Sequence, residues 1–286
     1  MAAHAEPYVR AGLEGVPAAD RLLQWGEAVE GEVYRQGPGR RTVRVVLEGK
    51  PYFLKFHWGV GWAEILKNWL VGKMPVLGAE NEFQACRHLE ARGLNAPRVA
   101  AYAAGTGNPA ARRSLILCDE IAGYASLEDV VNGWDESPPS PAAGRRLVMG
   151  IADFVRRLHE AGVVHRDLYL CHLLLRTDAW AAGRVELAVL DLHRARILSP
   201  VPDYWRRRDL AALLYSALDA PVHRHAWLRF VRAYSGRPLR EAFATEGAFW
   251  RSVYRRAVKL YGKGLRKGLV TGRFRTADPP LGLSND

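Results

Sequence analysis

Cysteine is scarce in this chain: Cys86, Cys118 and Cys171 are the only three among 286 residues, and no two stand in CxxC spacing. An odd, scattered set excludes a disulfide framework and a thiolate zinc site, and it fits a reducing compartment. Long apolar runs are missing as well. No stretch approaches the roughly 18 residues that a spanning helix needs. Met1 to Asp20 shows neither a basic nor an apolar targeting segment, so no transmembrane segment and no secretory leader are expected. There are no internal repeats. Acidic residues run short in one region only. Residues 1–193 hold 22 Lys and Arg against 23 Asp and Glu, a net −1, while residues 194–286 hold 19 against 7, a net +12. The whole excess therefore sits in the last third. It implies a surface for nucleic acid, acidic lipid or a polyanionic substrate, or else a solvated basic face.

What is present is a globular composition, with 49% hydrophobic and 25% charged residues, which excludes collagen-like and wholly disordered classes. The length allows one or two domains and a sizeable core. Gly31 to Gln36, Thr42 to Glu48 and Pro51 to Phe56 read as three antiparallel strands, broken at Gly37-Pro38-Gly39 and Glu48-Gly49-Lys50. Between Gly59 and Lys73, Trp62, Ile65, Leu66, Trp69 and Leu70 fall on one helical stripe. Ala79 to Arg92 reads as a second helix, and Pro97 to Ala103 and Ser114 to Cys118 as two more strands. The expected organisation is an N-terminal extension over residues 1–29, a sheet-containing lobe over 30–121 and a helical lobe over 122–286. The Pro- and Ser-rich loop Asp135 to Pro141 offers a seam. In the second lobe, Leu147, Ile151, Phe154, Val155 and Leu158 mark a long helix. Leu173 to Leu175 and Val185 to Leu190 form a β-hairpin, and Asp209 to Leu218 is apolar enough to be a buried helix.

The sharpest motif is His165-Arg166-Asp167, set after that long helix and before the hairpin that delivers Val189-Leu190-Asp191. Protein-kinase-like enzymes place a catalytic loop and then a metal-binding Asp in this order. Phosphoryl transfer needs a carboxylate to take the proton of the incoming hydroxyl and another to hold Mg²⁺ on the phosphates of ATP. Asp167 and Asp191 are the candidates. Lys55, in the otherwise apolar strand Tyr52-Phe53-Leu54-Lys55-Phe56, reads as the phosphate-binding Lys or as an edge gatekeeper. Its helix partner is expected to be Glu82, because at about 100° per residue Glu82 shares a face with Cys86 and Leu89 while Glu80 points away. Gly37 and Gly39 are candidates for phosphate cover although GxGxxG is missing, with Arg40 and Arg41 in support. Leu117 to Ile121, with Glu120 at its centre, reads either as a hinge that binds adenine or as a surface strand. His172 stands five residues after Asp167, where the general pattern HRDxxxxN has a metal-binding Asn. It is a candidate ligand, or a donor that orients Asp167.

Phe56-His57-Trp58-Gly59-Val60-Gly61-Trp62, Lys67-Asn68, Pro75-Val76-Leu77-Gly78-Ala79, His165-Arg166-Asp167-Leu168-Tyr169-Leu170-Cys171-His172 and Leu190-Asp191-Leu192-His193-Arg194-Ala195 resemble the lipopolysaccharide core heptose kinases, within the wider lipopolysaccharide kinase group. The resemblance runs from about Tyr34 to Tyr215, and more loosely to Leu269. It implies an α+β, protein-kinase-like two-lobed fold, with a small antiparallel-sheet N-lobe and a larger, mainly helical C-lobe. It also implies ATP-dependent transfer to a heptose hydroxyl of the inner core, at the cytoplasmic face of the inner membrane. By position, Asp167 would be the base, within the loop of His165 and Arg166, Asp191 the metal ligand, and Lys55 and Glu82 the phosphate-binding pair.

The basic third then gains a partner, since the inner core carries sugar carboxylates and phosphates. If Thr245 to Gly268 is helical, Arg251, Arg255, Arg256, Lys259, Lys263, Arg266 and Lys267 take one side, and Trp250, Val253, Tyr254, Ala257, Leu260, Tyr261 and Leu265 the other. Such a helix either lies on an anionic membrane surface as a peripheral contact or packs on the helical lobe with its basic face in water. Three rival readings are a kinase for a protein, a kinase for a small soluble molecule such as an aminoglycoside, and a non-catalytic kinase-like scaffold. An aminoglycoside site would be acidic, the reverse of this chain. A scaffold would have lost Lys55, Asp167 or Asp191. No nucleic-acid-binding motif accompanies the charge.

Overall fold

The structure is a computed structural model that describes residues 5–37, 39–70, 78–221 and 224–274. Pro38, Lys73 at the expected end of the two-Trp helix, and Pro75 to Leu77 lie outside the described residues. The chain divides into two compact units, residues 1–122 with 191–195, and residues 123–190 with 196–286.

The first unit is built on six antiparallel strands in the order β1-β5-β6-β4-β3-β2. They are β1 (Tyr8–Val9), β2 (Glu32–Gly37), β3 (Arg40–Leu47), β4 (Lys50–His57), β5 (Val99–Ala104) and β6 (Ser114–Asp119). Alternation along β4 buries Tyr52, Leu54 and Phe56 on the face that α1 (Leu22–Ala28) covers. Lys55 is left on the other face. There α3 (Glu80–Glu90) packs with Ala85, Cys86 and Leu89 turned inward. The segment read as an N-terminal extension thus contributes a strand and a helix to this unit. Leu22 is fully buried, and its truncation to Ala would cost about 2–5 kcal/mol. At Gly26 a Cβ would stand 2.5 Å from Leu115 Cδ2, a methyl of a fully buried side chain that would then have to shift, so glycine eases the close approach of α1. In α2 (Gly61–Leu70) the expected stripe splits. Ile65 is buried, while Trp62, Leu66 and Leu70 are 50%, 51% and 87% exposed.

The second unit begins where β7 (Tyr124–Ser126) pairs with β9 (Leu173–Arg176), which in turn pairs with β10 (Leu187–Val189). Ser126 caps α4 (Leu127–Asn132), whose Leu127 is fully buried. That anchoring places the Asp135 to Pro141 loop inside this unit, and the division falls at Ala122–Gly123 instead. Pro at the first turn and Ser140 as N-cap start α5 (Pro141–Glu160). Then come β8 (Val163–Val164), α6 (Thr177–Ala181) within the hairpin connection, β11 (Arg196–Ile197), α7 (Asp203–Ala217), α8 (Arg224–Ser235) and α9 (Leu239–Leu265). Along α9, Trp250, Val253, Tyr254, Ala257 and Tyr261 are buried against α7 and α8. Its apolar side is therefore used inside the unit, and Arg251, Arg255, Lys259 and Lys263 are exposed. Among the described residues, no helix is long and apolar enough to cross a membrane.

Candidate active site

In the first unit the charged groups converge on Lys55. Its Nζ donates to Glu82 Oε1 at 2.6 Å and lies 3.6 Å from Asp191 Oδ1. Burial opposes the ammonium, but the carboxylates of Glu82 and Asp191 outweigh it and hold the Lys55 pKa above its usual value. Glu80 is turned elsewhere, to Ala5 N and Arg112, as the helical phase of α3 requires. Asp191 sits in the left-handed region, at φ 58° and ψ 53°, a conformation that costs a non-glycine residue energy and that functional sites retain. Its Oδ1 accepts from His193 Nδ1 at 2.7 Å, with Arg40 Nη2 3.9 Å away. Burial would raise this carboxyl, yet the His193 hydrogen bond and the charges of Lys55 and Arg40 leave it far below the usual carboxylate range. Asp191 therefore stays ionised.

Around this cluster, several expected residues have other work. Arg41 Nη2 donates to the carbonyls of Gly26, Glu27 and Val29, closing the end of α1, so only Arg40 faces the cluster. Gly39, at φ +74°, is tightly packed: a Cβ there would lie 2.5 Å from Gly59 O, and its carbonyl accepts from Trp58 N. Gly37 closes the β2–β3 ladder opposite Arg40. Glu120 binds Arg44 through its carboxylate at 2.8 Å and donates its N–H to Pro51 O, while Asp119 N donates to Arg98 O. These two amides are already taken within the sheet, because β6 lies between two neighbours. Cys86 and Cys118 are buried free thiols, and the hydrogen bond with Cys118 and burial push Cys86 up, so Cys86 is no nucleophile.

In the second unit the loop His165–His172 is held from several sides. Asp209, fully buried in α7, accepts from His165 N and Arg166 N, both at 2.7 Å, one on each carboxylate oxygen. His165 is buried, and burial lowers its pKa. Its Nε2 donates to Leu190 O at 2.7 Å, so its Nδ1 accepts from Asp167 N at 3.3 Å. His172 Nδ1 donates to Asp167 O at 2.7 Å, and the two imidazoles stack 5.5 Å apart. All of these bonds except that to Leu190 act on the backbone of residues 165–167. The His172 bond engages Nδ1 with the backbone of Asp167, so that nitrogen is not placed for a metal ion. Arg166, next to Asp167, has φ 74° and is another non-glycine residue in the left-handed region.

Sequence reasoning missed Asp209 and His193. An Asp directly before the apolar run Leu210 to Leu214 was the available signal for Asp209, since a buried carboxylate needs N–H partners. For His193 the signal was its spacing of two from Asp191.

Residues 24–234 match the lipopolysaccharide kinase (Kdo/WaaP) family. The chain is 45% identical to the lipopolysaccharide core heptose(I) kinase WaaP of Pseudomonas aeruginosa, over 85% of this chain and 91% of that protein. The chain belongs to the lipopolysaccharide kinase family. The WaaP of Escherichia coli K12 is 36% identical over 84% of this chain and 91% of its own length. A solved structure of WaaP in complex with acyl carrier protein matches with a TM-score of 0.77 and 37% identity, over 90% of this chain and 100% of that one. The fold is accordingly that of this kinase family, an antiparallel-sheet unit and a mainly helical unit, and the protein is a kinase that acts on lipopolysaccharide core. Family membership also implies the use of ATP.

Proposed function

We propose that this kinase transfers the γ-phosphoryl group of ATP to a hydroxyl of the first inner-core heptose of lipopolysaccharide, the reaction named for its relatives. The observation that supports it most is Lys55 Nζ held between the carboxylates of Glu82 and Asp191, a cation placed for nucleotide phosphates and kept charged. Arg40 adds a second cation on that side, in place of glycine-loop amides. Asp167 takes the proton of the acceptor hydroxyl, and His172, His165 and Asp209 keep its backbone in one conformation. Mg²⁺ fits the donor chemistry of Asp191, a hard oxygen that remains ionised, and Mg²⁺ bound to nucleotides commonly takes only one or two protein carboxylates. When bound, it neutralises charge on the phosphates.

The partners follow from the same reading. The acceptor is a glycolipid, so the protein works as a peripheral protein at the cytoplasmic face of the inner membrane, where the exposed cations of α9 meet the lipid surface. The solved relative is in complex with acyl carrier protein, and we assign the same partner to this chain. A largely apolar cavity of about 780 Å³ in the second unit, lined by Leu147, Ile151, Leu213, Trp227 and Phe230, suits an apolar group carried by it.

The test is to incubate the purified protein with ATP, Mg²⁺ and lipopolysaccharide from cells that lack it, and to locate added phosphate by mass spectrometry. One phosphate on the first heptose is expected. Phosphate on protein alone, or none, would overturn the assignment.

A further inference from the structure

Three consecutive arginines in α7 have different surroundings. Arg206 is charge-balanced, with Asp203 at 2.8 Å, Glu246 at 3.9 Å and Tyr234 Oη accepting from its Nε. Arg207 and Arg208 point the other way, onto the ring of Tyr204, with their guanidinium carbons 5.7 Å and 5.5 Å from its centroid. This is the i, i+3 and i, i+4 geometry of one helix face. Arg208 also donates to Tyr204 Oη at 3.0 Å. The indole of Trp205 gathers three guanidinium groups, those of Arg166 at 5.5 Å, Arg196 at 5.7 Å and Arg208 at 5.5 Å.

Arg256 of α9 joins the group. Its pKa is lowered by burial and then by the charges of Arg208 and Arg207, with Tyr204 and Tyr169 opposing. Among the described residues, Arg196, Arg207, Arg208 and Arg256 have no ion-pair partner, and the buried Nε atoms of Arg208 and Arg256 have no hydrogen-bond acceptor. Half-buried guanidinium groups packed together without a carboxylate are unfavourable unless an anion joins them. Here the buried Nε–H groups of Arg208 and Arg256 are left without an acceptor.

We propose that Tyr204, Trp205, Arg207, Arg208 and Arg256 form an anion subsite for the acceptor, holding a carboxylate or phosphate of the inner-core oligosaccharide while the rings carry the sugar's apolar face. The inference rests on the kinase reading above and deepens it by naming how the acceptor is recognised. Guanidinium groups rather than ammonium groups suit this task, because their planar donors match carboxylate or phosphate oxygens two at a time. The packing of Arg166 on Trp205 ties the subsite to the residue before Asp167, so an anionic sugar held here is a neighbour of the hydroxyl that loses its proton.

The test measures KM for lipopolysaccharide lacking the heptose phosphate, using the full chain and its Arg208→Gln, Arg256→Gln and Arg256→Lys variants. Each is assayed with three acceptors: native, carboxyl-reduced, and stripped of its remaining phosphates. For the wild type, removing the recognised anion is expected to raise KM about tenfold, and each Gln variant is expected to raise KM by a similar factor on the native acceptor. On the acceptor without that anion, the Gln substitutions should add nothing further. Coupling to the carboxyl-reduced arm assigns a sugar carboxylate, and coupling to the dephosphorylated arm assigns a phosphate. Arg256→Lys should fall between, keeping charge without the paired donors.

Equal effects of the substitutions on all three acceptors, or none, overturn the subsite. So does loss of acyl carrier protein binding with an unchanged acceptor KM, which would make this a protein-docking face. If the wild type phosphorylates no heptose, the function assignment fails separately, and calorimetric binding of the oligosaccharide to the same proteins still decides the subsite. A variant whose thermal unfolding shows a lost fold is replaced by Arg207→Gln.

Discussion

Lys55 Nζ and Glu82 Oε1 meet at 2.6 Å although 27 positions separate them in the chain. Glu82 is 1% exposed, so this is a buried ion pair, whose geometry matters more than its contribution to stability. Glu82→Gln keeps the shape and removes the charge. We expect kcat/KM to fall about 10- to 100-fold, with most of the loss in ATP affinity, and Lys55→Ala to lose more. Titration of a fluorescent ATP analogue checks this: equal nucleotide affinity in Glu82→Gln and wild type would remove the phosphate-positioning role.

Asp191→Asn is expected to preserve the fold, since Asn tolerates the left-handed conformation that Asp191 adopts, and to reduce phosphotransfer by about 10³-fold or more. Asp167→Asn should do the same without weakening nucleotide binding. Rapid-quench measurement of product with each variant settles both, and turnover within tenfold of wild type in either would sink the corresponding assignment.

Asp209 supplies one oxygen to each of two amides, His165 N and Arg166 N. Asn offers one oxygen and turns an NH₂ group toward the other donor. Asp209→Asn should therefore cost about 1–3 kcal/mol of stability and lower kcat more than either KM. A variant with normal kcat and a lowered melting temperature would make Asp209 purely structural.

His57 is buried with its Nε2 unpartnered among the described residues. Burial, then the charges of Arg40, Lys55 and His193, lower its pKa to about 3. Unfolded, the same group takes up a proton near 6.5. Between pH 6.5 and 3 the unfolded chain thus binds the extra proton, and stability falls as pH falls across that window, by an amount on the order of a few kcal/mol. His57→Asn should flatten this slope. Urea midpoints measured at half-unit intervals from pH 7 to 4 test it, and identical slopes for the two proteins would show that His57 does not contribute.

The sequence by itself determined the features that depend on local pattern. Alternation along β4 placed Lys55 on the face away from α1, helical phase chose Glu82 over Glu80, and the order of the HRD loop, hairpin and Asp191 matched the structure element by element. Periodicities of two and 3.6 are properties of a short segment, so they can be read from it. The tertiary structure alone decided what depends on distant segments meeting. It brought Asp209 to amides 43 and 44 positions away and joined residues 191–195 to the first unit. It turned Arg41 to the end of α1 and buried the apolar side of α9 against α7 and α8. It also stacked Arg166, Arg196 and Arg208 on one indole. A charge run in sequence gives the sign of a surface, but which cations are neutralised within the protein and which still lack an anion depends on the chain having folded around them.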